Sequence, residues 1–79
     1  MNNTSNQQAS RPFDWLSESI NKNVLVELKG NLQFRGVLKA FDVHMNIVLE
    51  SAESLDNGEP KTKYGKVVLR GDNILLISP

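Results

Sequence analysis

Residues 24–41, VLVELKGNLQFRGVLKAF, carry the strongest signal for the fold. The period of two in Val24–Leu28 predicts a half-buried strand. Lys29–Asn31 then predicts a turn, because glycine reaches positive φ without steric cost. A second strand is expected over Leu32–Phe41, and Gly36 in its middle permits a sharp bend or a bulge. A strand bent in this way can serve two sides of a small barrel.

A short helix is predicted upstream of these strands. Pro12 suits the first helical turn, where its missing N–H costs nothing. Phe13, Leu16 and Ile20 then follow at a spacing that forms one apolar stripe. Trp15 falls beside the stripe, and we expect it to be a partly buried anchor that holds the helix on the barrel.

Three more strands are predicted downstream. The third runs from about Asn46 to Ser54, and Asp56–Gly58 is typical of a type I′ hairpin turn. The fourth covers roughly Lys61–Leu69, and the last, Ile74–Ile77, is apolar on both faces. An exposed edge of that kind must be covered or paired. The chain is therefore mainly β, with a short helix and about five bent strands in a partly open OB-like or SH3-like barrel.

Composition limits how such a small domain can be stabilised. The chain has 79 residues, no cysteine and one histidine, which excludes disulfides and argues against a metal site or a cofactor. Self-assembly is the remaining common means of stabilisation. Residues 1–10 are polar and are predicted to be a disordered tail before a domain over 11–79. With no long apolar run and no cysteine, we expect a cytoplasmic protein without a membrane span.

Chemistry-bearing residues concentrate in two short segments, Asp42–Asn46 and Arg70–Asn73. They offer a flat imidazole (His44), a planar cation (Arg70) and an amide with donor and acceptor (Asn46). That set suits a splayed-out nucleobase, which needs faces to stack on and an edge partner. Taken singly, the three could be a solvated loop histidine, a surface charge and a turn residue. No pairing of a nucleophile with a base is indicated, so we do not expect an enzyme.

Residues 11–79 resemble the Sm-like (Lsm) proteins, most closely the archaeal kind. Gly36 followed by Phe41–Leu49 is similar to the Sm1 motif, which would span about residues 24–54. Gly65 and Arg70–Ile74 are similar to the Sm2 motif, which would span about residues 63–77. The resemblance implies the Sm fold, a short N-terminal helix on a strongly bent five-stranded antiparallel barrel. It also implies that strand four pairs with strand five of the next subunit and closes a ring. The archaeal likeness favours a heptamer over the hexamer of bacterial Hfq.

The resemblance further implies that the ring binds U-rich single-stranded RNA on its inner rim, one uracil per subunit. His44 and Arg70 would sandwich the base, and Asn46 would pair with its edge. Asp72 would orient Asn46 through a hydrogen bond, and Gly71 would add backbone contacts, although it could instead be the positive-φ residue of a turn. The implied role is an RNA scaffold or chaperone with RNA-processing proteins as possible partners.

Asp42 and the region around the helix have separate predicted roles. Asp42 is expected to brace its own loop, since aspartate readily accepts from nearby backbone N–H groups. A lateral RNA contact, implied by relatives, would use Arg11, Pro12 and Phe41, although packing is the simpler role for Phe41. The same ring could instead serve mainly as an adaptor for proteins. A monomeric OB-type binder of single-stranded DNA is disfavoured by the shortage of aromatic residues.

Overall fold

The computed structural model of the chain describes residues 11–79, so the predicted tail at 1–10 lies outside the described residues. One helix and five strands follow in the predicted order, and the third and fourth strands extend further toward their shared turn than expected. No helix in this part of the chain is long and apolar enough to cross a membrane. The elements are α1 (Pro12–Glu18), β1 (Asn23–Leu28), β2 (Leu32–Phe41), β3 (Ile47–Asp56), β4 (Glu59–Leu69), a 3₁₀ turn (Gly71–Asn73) and β5 (Ile74–Ser78).

The strands form one antiparallel sheet in the order β4-β3-β2-β1-β5. Hairpins join β1 to β2, β2 to β3 and β3 to β4, whereas β5 crosses over to pair with the far side of β1. This arrangement leaves β4 and β5 as the two edges of the sheet. Among residues 11–79, each edge strand keeps a row of backbone N–H and C=O groups without a partner strand.

β2 and β3 approach each other closely at Gly36, where their pairing is also irregular. The register between the two strands shifts between Arg35 and Val37. A Cβ placed on Gly36 would lie 3.0 Å from the Glu50 carbonyl oxygen and 3.1 Å from the Ala52 Cα. Any side chain there would push β3 away from β2. Gly36 therefore permits close strand approach as well as the predicted bend.

The two predicted turns have the backbone conformation that their residues favour. Gly30 and Asn31 have φ values of 83° and 62°, and Asn57 and Gly58 have φ values of 53° and 83°. Positive φ at two successive positions is what a type I′ hairpin turn requires. The prediction of that turn at Asp56–Gly58 is confirmed.

The core lies on the inner face of the bent sheet, and α1 covers part of it. Leu38, Ile47 and Leu49 have no exposed surface, so truncating any one of them to alanine would cost ~2–5 kcal/mol of stability. The helix contributes Leu16 to this cluster, with 8% of its surface exposed. Trp15 is 59% exposed. The expectation that Trp15 anchors the helix within the subunit is therefore wrong, because the adjacent position points about 100° around the helix from Leu16.

Candidate nucleic-acid interface

The two loops singled out in the sequence meet at one end of the sheet. Asp42–Asn46 connects β2 to β3, and Arg70–Asn73 connects β4 to β5. They lie side by side because Ile47, which begins β3, pairs with Leu69, which ends β4. Between them is an open pocket of about 490 Å³ lined by His44, Met45, Asn46, Arg70, Gly71 and Asp72. All five residues predicted for the RNA site line this pocket.

Asp42 organises the first loop. Its Oδ1 accepts hydrogen bonds from the backbone N–H of His44 at 2.9 Å and of Asn46 at 3.1 Å. The Asp42 carbonyl oxygen also accepts from the Met45 N–H at 2.9 Å, and Met45 adopts a left-handed φ of 65°. These bonds turn the chain sharply and carry His44 to the rim of the pocket. The predicted bracing role of Asp42 is confirmed.

Asn46 joins the two loops through its side-chain amide. Its Nδ2 donates to Asp42 Oδ2 at 3.1 Å, and its Oδ1 accepts from the Gly71 N–H at 3.0 Å. The sequence-based assignment gave the orienting role to Asp72, and the structure corrects it. Asp42 holds the amide, because the Asp42–Asn46 loop folds its first residue back onto its last. The Asp72 carboxylate instead lies 3.5 Å from the Arg70 guanidinium.

Gly71 is needed for close approach between the loops. A Cβ on this residue would overlap the His44 carbonyl oxygen and would lie 2.8 Å from the Met45 carbonyl carbon. Gly71 is absent from the positive-φ glycines of the described chain, so the alternative of a left-handed turn glycine is wrong. Its missing side chain allows the 3₁₀ turn to pack on the His44–Met45 peptide and to donate to Asn46.

The two planar groups at the rim are accessible. His44 is exposed, and the Arg70 side chain is 75% exposed. The contact with Asp72 holds the guanidinium near the pocket, but a pair so open to water contributes little to stability. An imidazole and a guanidinium plane both stack on flat aromatic ligands. The rim thus presents stacking surfaces, while the deeper wall presents the fixed amide.

The charge of Asp42 is part of the same hydrogen-bond network. The hydrogen bond from the Asn46 side chain, together with those from the two backbone N–H groups, lowers the pKa of the Asp42 carboxyl below its usual value. Each of these donors favours the ionised form. Asp42 therefore remains a carboxylate, acting as an acceptor, under all mildly acidic and neutral conditions.

The residues of the predicted lateral contact lie around α1, away from this pocket. Arg11 and Pro12 line a separate surface cavity of about 440 Å³ with Phe13 and Asp14. The ring of Phe41 packs against that of Phe13, with centroids 5.7 Å apart and planes at 40°. The structure therefore joins Phe41 to this region through Phe13, which sequence reasoning left out of the site.

Sequence reasoning also missed the coupling of Asp42 to Asn46. The available signal was their spacing, since an aspartate that bonds backbone N–H groups two and four residues ahead closes a tight loop. Among residues 11–79, no group of three or more His, Cys, Asp or Glu side chains is close enough to hold a metal ion. The arrangement provides stacking planes, one oriented amide and backbone groups, which together can hold a planar polar ligand.

Known proteins resemble the sequence of this chain over most of its length. The sequence model of the LSM domain family matches residues 14–79. An snRNP Sm-like protein of Thermococcus sibiricus is 52% identical over 71 residues, which are 90% of this chain and 93% of the relative.

Solved structures agree in fold as well as in sequence. The Pyrococcus abyssi Sm protein, solved in complex with a uridine heptamer, superposes with a TM-score of 0.85 at 50% identity, covering 89% of this chain and 99% of that one. The SmAP1 heptamer of P. aerophilum superposes with a TM-score of 0.81 at 44% identity, covering 86% and 90%. Because the family model covers residues 14–79 and the relatives agree in both sequence and fold, the chain belongs to the Sm-like (LSM) family.

Proposed function

We propose that the chain assembles into a closed ring, a heptamer, that binds U-rich single-stranded RNA with one base pocket per subunit. The observation that carries the proposal is the Asn46 amide, held between Asp42 and the Gly71 N–H and flanked by His44 and Arg70. The similarity to the P. abyssi protein that was solved with a uridine heptamer supports the choice of ligand.

In this proposal His44 and Arg70 supply the stacking surfaces for the base. Stacking on such groups is worth ~1–3 kcal/mol per base and does not by itself select a sequence. The guanidinium also carries the charge that attracts the phosphate backbone. Because the chain has zero formal net charge, this local cation replaces the whole-protein attraction on which strongly basic RNA binders rely.

Asn46 supplies the selection among bases. One Nδ2 hydrogen is used by Asp42 and one Oδ1 lone pair by Gly71, which leaves one donor and one acceptor site free. The free donor matches a carbonyl oxygen of uracil, and the free acceptor matches its N3–H. Cytosine has no hydrogen at N3, so it would leave polar groups unpaired at a cost of roughly 1–3 kcal/mol.

The ring follows from the two edges of the sheet. Pairing β4 of one subunit with β5 of the next would satisfy both rows of free backbone groups and would close rather than form fibres. Identical pockets would then face one strand of RNA, and each bound nucleotide would raise the effective concentration of the next. The heptamer of the P. aerophilum relative supports seven subunits.

The proposal is tested by fluorescence anisotropy of short oligo(U) and oligo(C) at one fixed, moderate salt concentration. We expect tight oligo(U) binding with a clear preference over oligo(C). His44→Ala and Arg70→Ala should each weaken oligo(U) binding strongly while native mass spectrometry still shows the ring. Equal binding of the two oligonucleotides, or no effect of either substitution, would reject the pocket and leave the ring as an adaptor for proteins.

We also propose a secondary, lateral RNA contact at Arg11, Pro12 and Phe41, to which Phe13 is added. Its support is the cavity lined by Arg11, Pro12 and Phe13, together with the packing of the Phe41 ring on Phe13. Arg11→Ala should lower the affinity for long U-rich RNA and leave short oligo(U) binding in the main pocket unchanged. An equal loss for both lengths would contradict a separate contact.

Finally, we propose that the ring acts by binding alone, as a scaffold or chaperone in the cytoplasm that also meets RNA-processing proteins. The pocket groups support this interpretation, since they comprise a stacking pair and an amide already engaged in two hydrogen bonds. The experiment is incubation of the purified ring with labelled U-rich RNA. Intact RNA is expected, and pocket-dependent cleavage would contradict the proposal.

A further inference from the structure

We propose that Met45 is a positioning residue of the base pocket. Its side chain anchors the Asp42–Asn46 loop to the core and thereby sets the orientation of the Asn46 amide that selects the base. Met45 lies between His44 and Asn46 and lines the pocket with them. The inference rests on the proposed function and deepens it, since it names a residue that determines specificity by acting through Asn46.

The backbone of Met45 is unusual for its residue type. Its φ of 65° lies in the left-handed region, where a side chain crowds the following carbonyl oxygen. Residues held there against their own preference cluster at functional sites and persist only where their surroundings compensate. Among residues 11–79, Met45 is the only apolar residue with positive φ, and the other residues besides glycine are Asn21, Asn31, Ser51 and Asn57.

Packing of the Met45 side chain provides that compensation. The side chain is partly buried and packs against the buried core cluster. It also lines the apolar groove that contains Leu16 of α1 and Ile74 of β5. Glycine or asparagine would adopt the same backbone at lower cost, but neither would fill this apolar space. The loop therefore accepts a strained backbone and gains an apolar anchor.

Asn46 lies between two residues that are held by the core. Ile47, which follows it, has no exposed surface and belongs to the buried cluster against which Met45 packs. Fixing both neighbours leaves the backbone of Asn46 little freedom to rotate. Its side chain then extends to Asp42 on one side and to the Gly71 N–H on the other.

Hydrogen bonds alone would hold the loop less firmly. The three bonds that the Asp42 side chain accepts are exposed to solvent. Water competes for such groups, so the net contribution of each bond to stability is modest. The packed Met45 side chain is better shielded from water. We therefore assign the rigidity of the loop to this anchor together with the hydrogen bonds.

Met45 also contacts the second loop of the pocket. A Cβ placed on Gly71 would lie 2.8 Å from the Met45 carbonyl carbon and 2.9 Å from the Met45 Cβ. The 3₁₀ turn thus rests directly on Met45. A displacement of Met45 would shift the Gly71 N–H, which donates to Asn46 Oδ1 at 3.0 Å. One residue therefore fixes both loops relative to the amide.

Substitutions at this position separate the side chain from the backbone. Met45→Ala and Met45→Gly both remove the anchor, but only glycine relieves the left-handed backbone, so Met45→Gly should be the more stable of the two in urea unfolding. Both should nevertheless lower the preference for uracil over cytosine about tenfold, as for one lost hydrogen bond. Met45→Leu keeps the apolar volume and should keep the preference. Retained preference in Met45→Gly, or its loss in Met45→Leu, would overturn the assignment.

Val43→Ala is the matched control for the side-chain series. Val43 is an apolar residue of the same loop, but it is 72% exposed and is not among the residues that line the pocket. Its truncation should leave the preference for uracil unchanged. A loss as large as that of Met45→Ala would show that any change in the loop disturbs recognition, and would reject Met45 as the anchor.

A measurement without RNA distinguishes this inference from the proposed function. Amide hydrogen exchange followed by NMR should be several-fold faster at the Gly71 N–H in Met45→Ala than in the parent chain. The Asn73 N–H, which donates to the Arg70 carbonyl oxygen at 3.0 Å in the same turn, should change little. Unchanged exchange at Gly71, or equal acceleration at both groups, would overturn the role of Met45. A parent chain without uracil preference but with the expected exchange at Gly71 would overturn the proposed function and support the positioning role.

Discussion

The base pocket and the sheet edges differ in how far one chain completes their hydrogen bonding. In the pocket, Asp42, Asn46 and Gly71 satisfy one another across two loops. At the edges, β4 and β5 keep free backbone groups and exposed apolar side chains. The recognition element, which is the pocket built by Asp42, Asn46 and Gly71, thus has its hydrogen bonds within one chain. The assembly element, which is the pair of edge strands β4 and β5, leaves its backbone groups for another chain. Substitutions in the pocket should therefore weaken RNA binding and leave the ring intact, whereas loss of the ring should weaken RNA binding as well, because the sites are then no longer linked.

The largest expected effect comes from breaking the assembly element. Val68→Asp places a charge on the β4 edge at a side chain that is 65% exposed in the subunit, so the subunit itself should still fold. We expect native mass spectrometry to show dissociated subunits, and oligo(U) affinity to fall ~100-fold or more because linked sites are lost.

Leu32→Asp is the control for this prediction, since Leu32 is similarly exposed but does not lie on an edge strand. It should retain both the ring and RNA binding. If Val68→Asp remained assembled, β4 would not be the strand that joins the subunits.

The next effect comes from breaking the recognition element at Gly71. Gly71→Ala forces a methyl group into the His44–Met45 peptide and should cost ~1–3 kcal/mol of stability, as overpacking does. It should also abolish uracil preference, because the Gly71 N–H moves away from Asn46. Urea unfolding and anisotropy measure the two effects.

Gly58→Ala is its matched control, at a hairpin glycine with a φ of 83° and no atom near its Cβ position. We expect backbone strain alone there, with ~1–2 kcal/mol lost and RNA binding retained. Equal loss of RNA binding in both variants would mean that stability, and not pocket geometry, limits recognition.

A smaller effect should distinguish the roles of Asp42 and Asp72 in orienting Asn46. Asp42→Asn replaces a carboxylate that accepts three hydrogen bonds, and it places a second amide next to the Asn46 Nδ2. The preference for uracil over cytosine should fall about tenfold, which corresponds to the loss of one hydrogen bond. Asp72→Asn should change the preference less, since Asp72 contacts Arg70 and not Asn46. The reverse order of effects in competition binding would restore the orienting role to Asp72.

The smallest effect is the pH dependence of the loop. Hydrogen bonds, chiefly from the Asn46 side chain, lower the pKa of Asp42 in the folded chain. A lowered pKa contributes stability that is fully present above the unfolded pKa and is lost as the pH falls through the folded one. The melting temperature should therefore not depend on the charge of Asp42 near neutral pH. In strong acid the melting temperature of the parent chain should fall, and the fall should be smaller in Asp42→Asn. An identical acid response in the two proteins would contradict this.

The order and type of the elements could be predicted from the sequence because their signals are local. The sequence predicts β2 over Leu32–Phe41, and the strand in the structure has the same bounds. Asp56–Gly58 fixed the hairpin through the φ values that Asn57 and Gly58 tolerate. The strands β3 and β4 run further than predicted because hairpin pairing extends to the turn even where the side chains are polar.

The composition of the pocket could also be predicted, but not its internal connections. Residue types alone indicated a stacking pair and an amide, and the structure places all of them around one cavity. The sequence does not show which aspartate accepts the hydrogen bond from Asn46, because Asp42 and Asp72 belong to the two loops that meet at the pocket. The backbone path of the Asp42–Asn46 loop makes Asp42 the acceptor of the hydrogen bond from the Asn46 side chain.

The local features follow directly from the order of the residues: the strands, the turns, the glycine at the irregular point of β2 and the kinds of group in the two loops. These depend on backbone preferences and on the alternation of side chains, which act over a few residues. Which groups come into contact depends on the folded arrangement of the strands and loops. In the folded chain Gly71 packs directly on the His44–Met45 backbone, and Trp15 is exposed. The strands β4 and β5 become the two edges of the sheet. Those outcomes depend on distances between residues far apart in the chain, which no local pattern encodes.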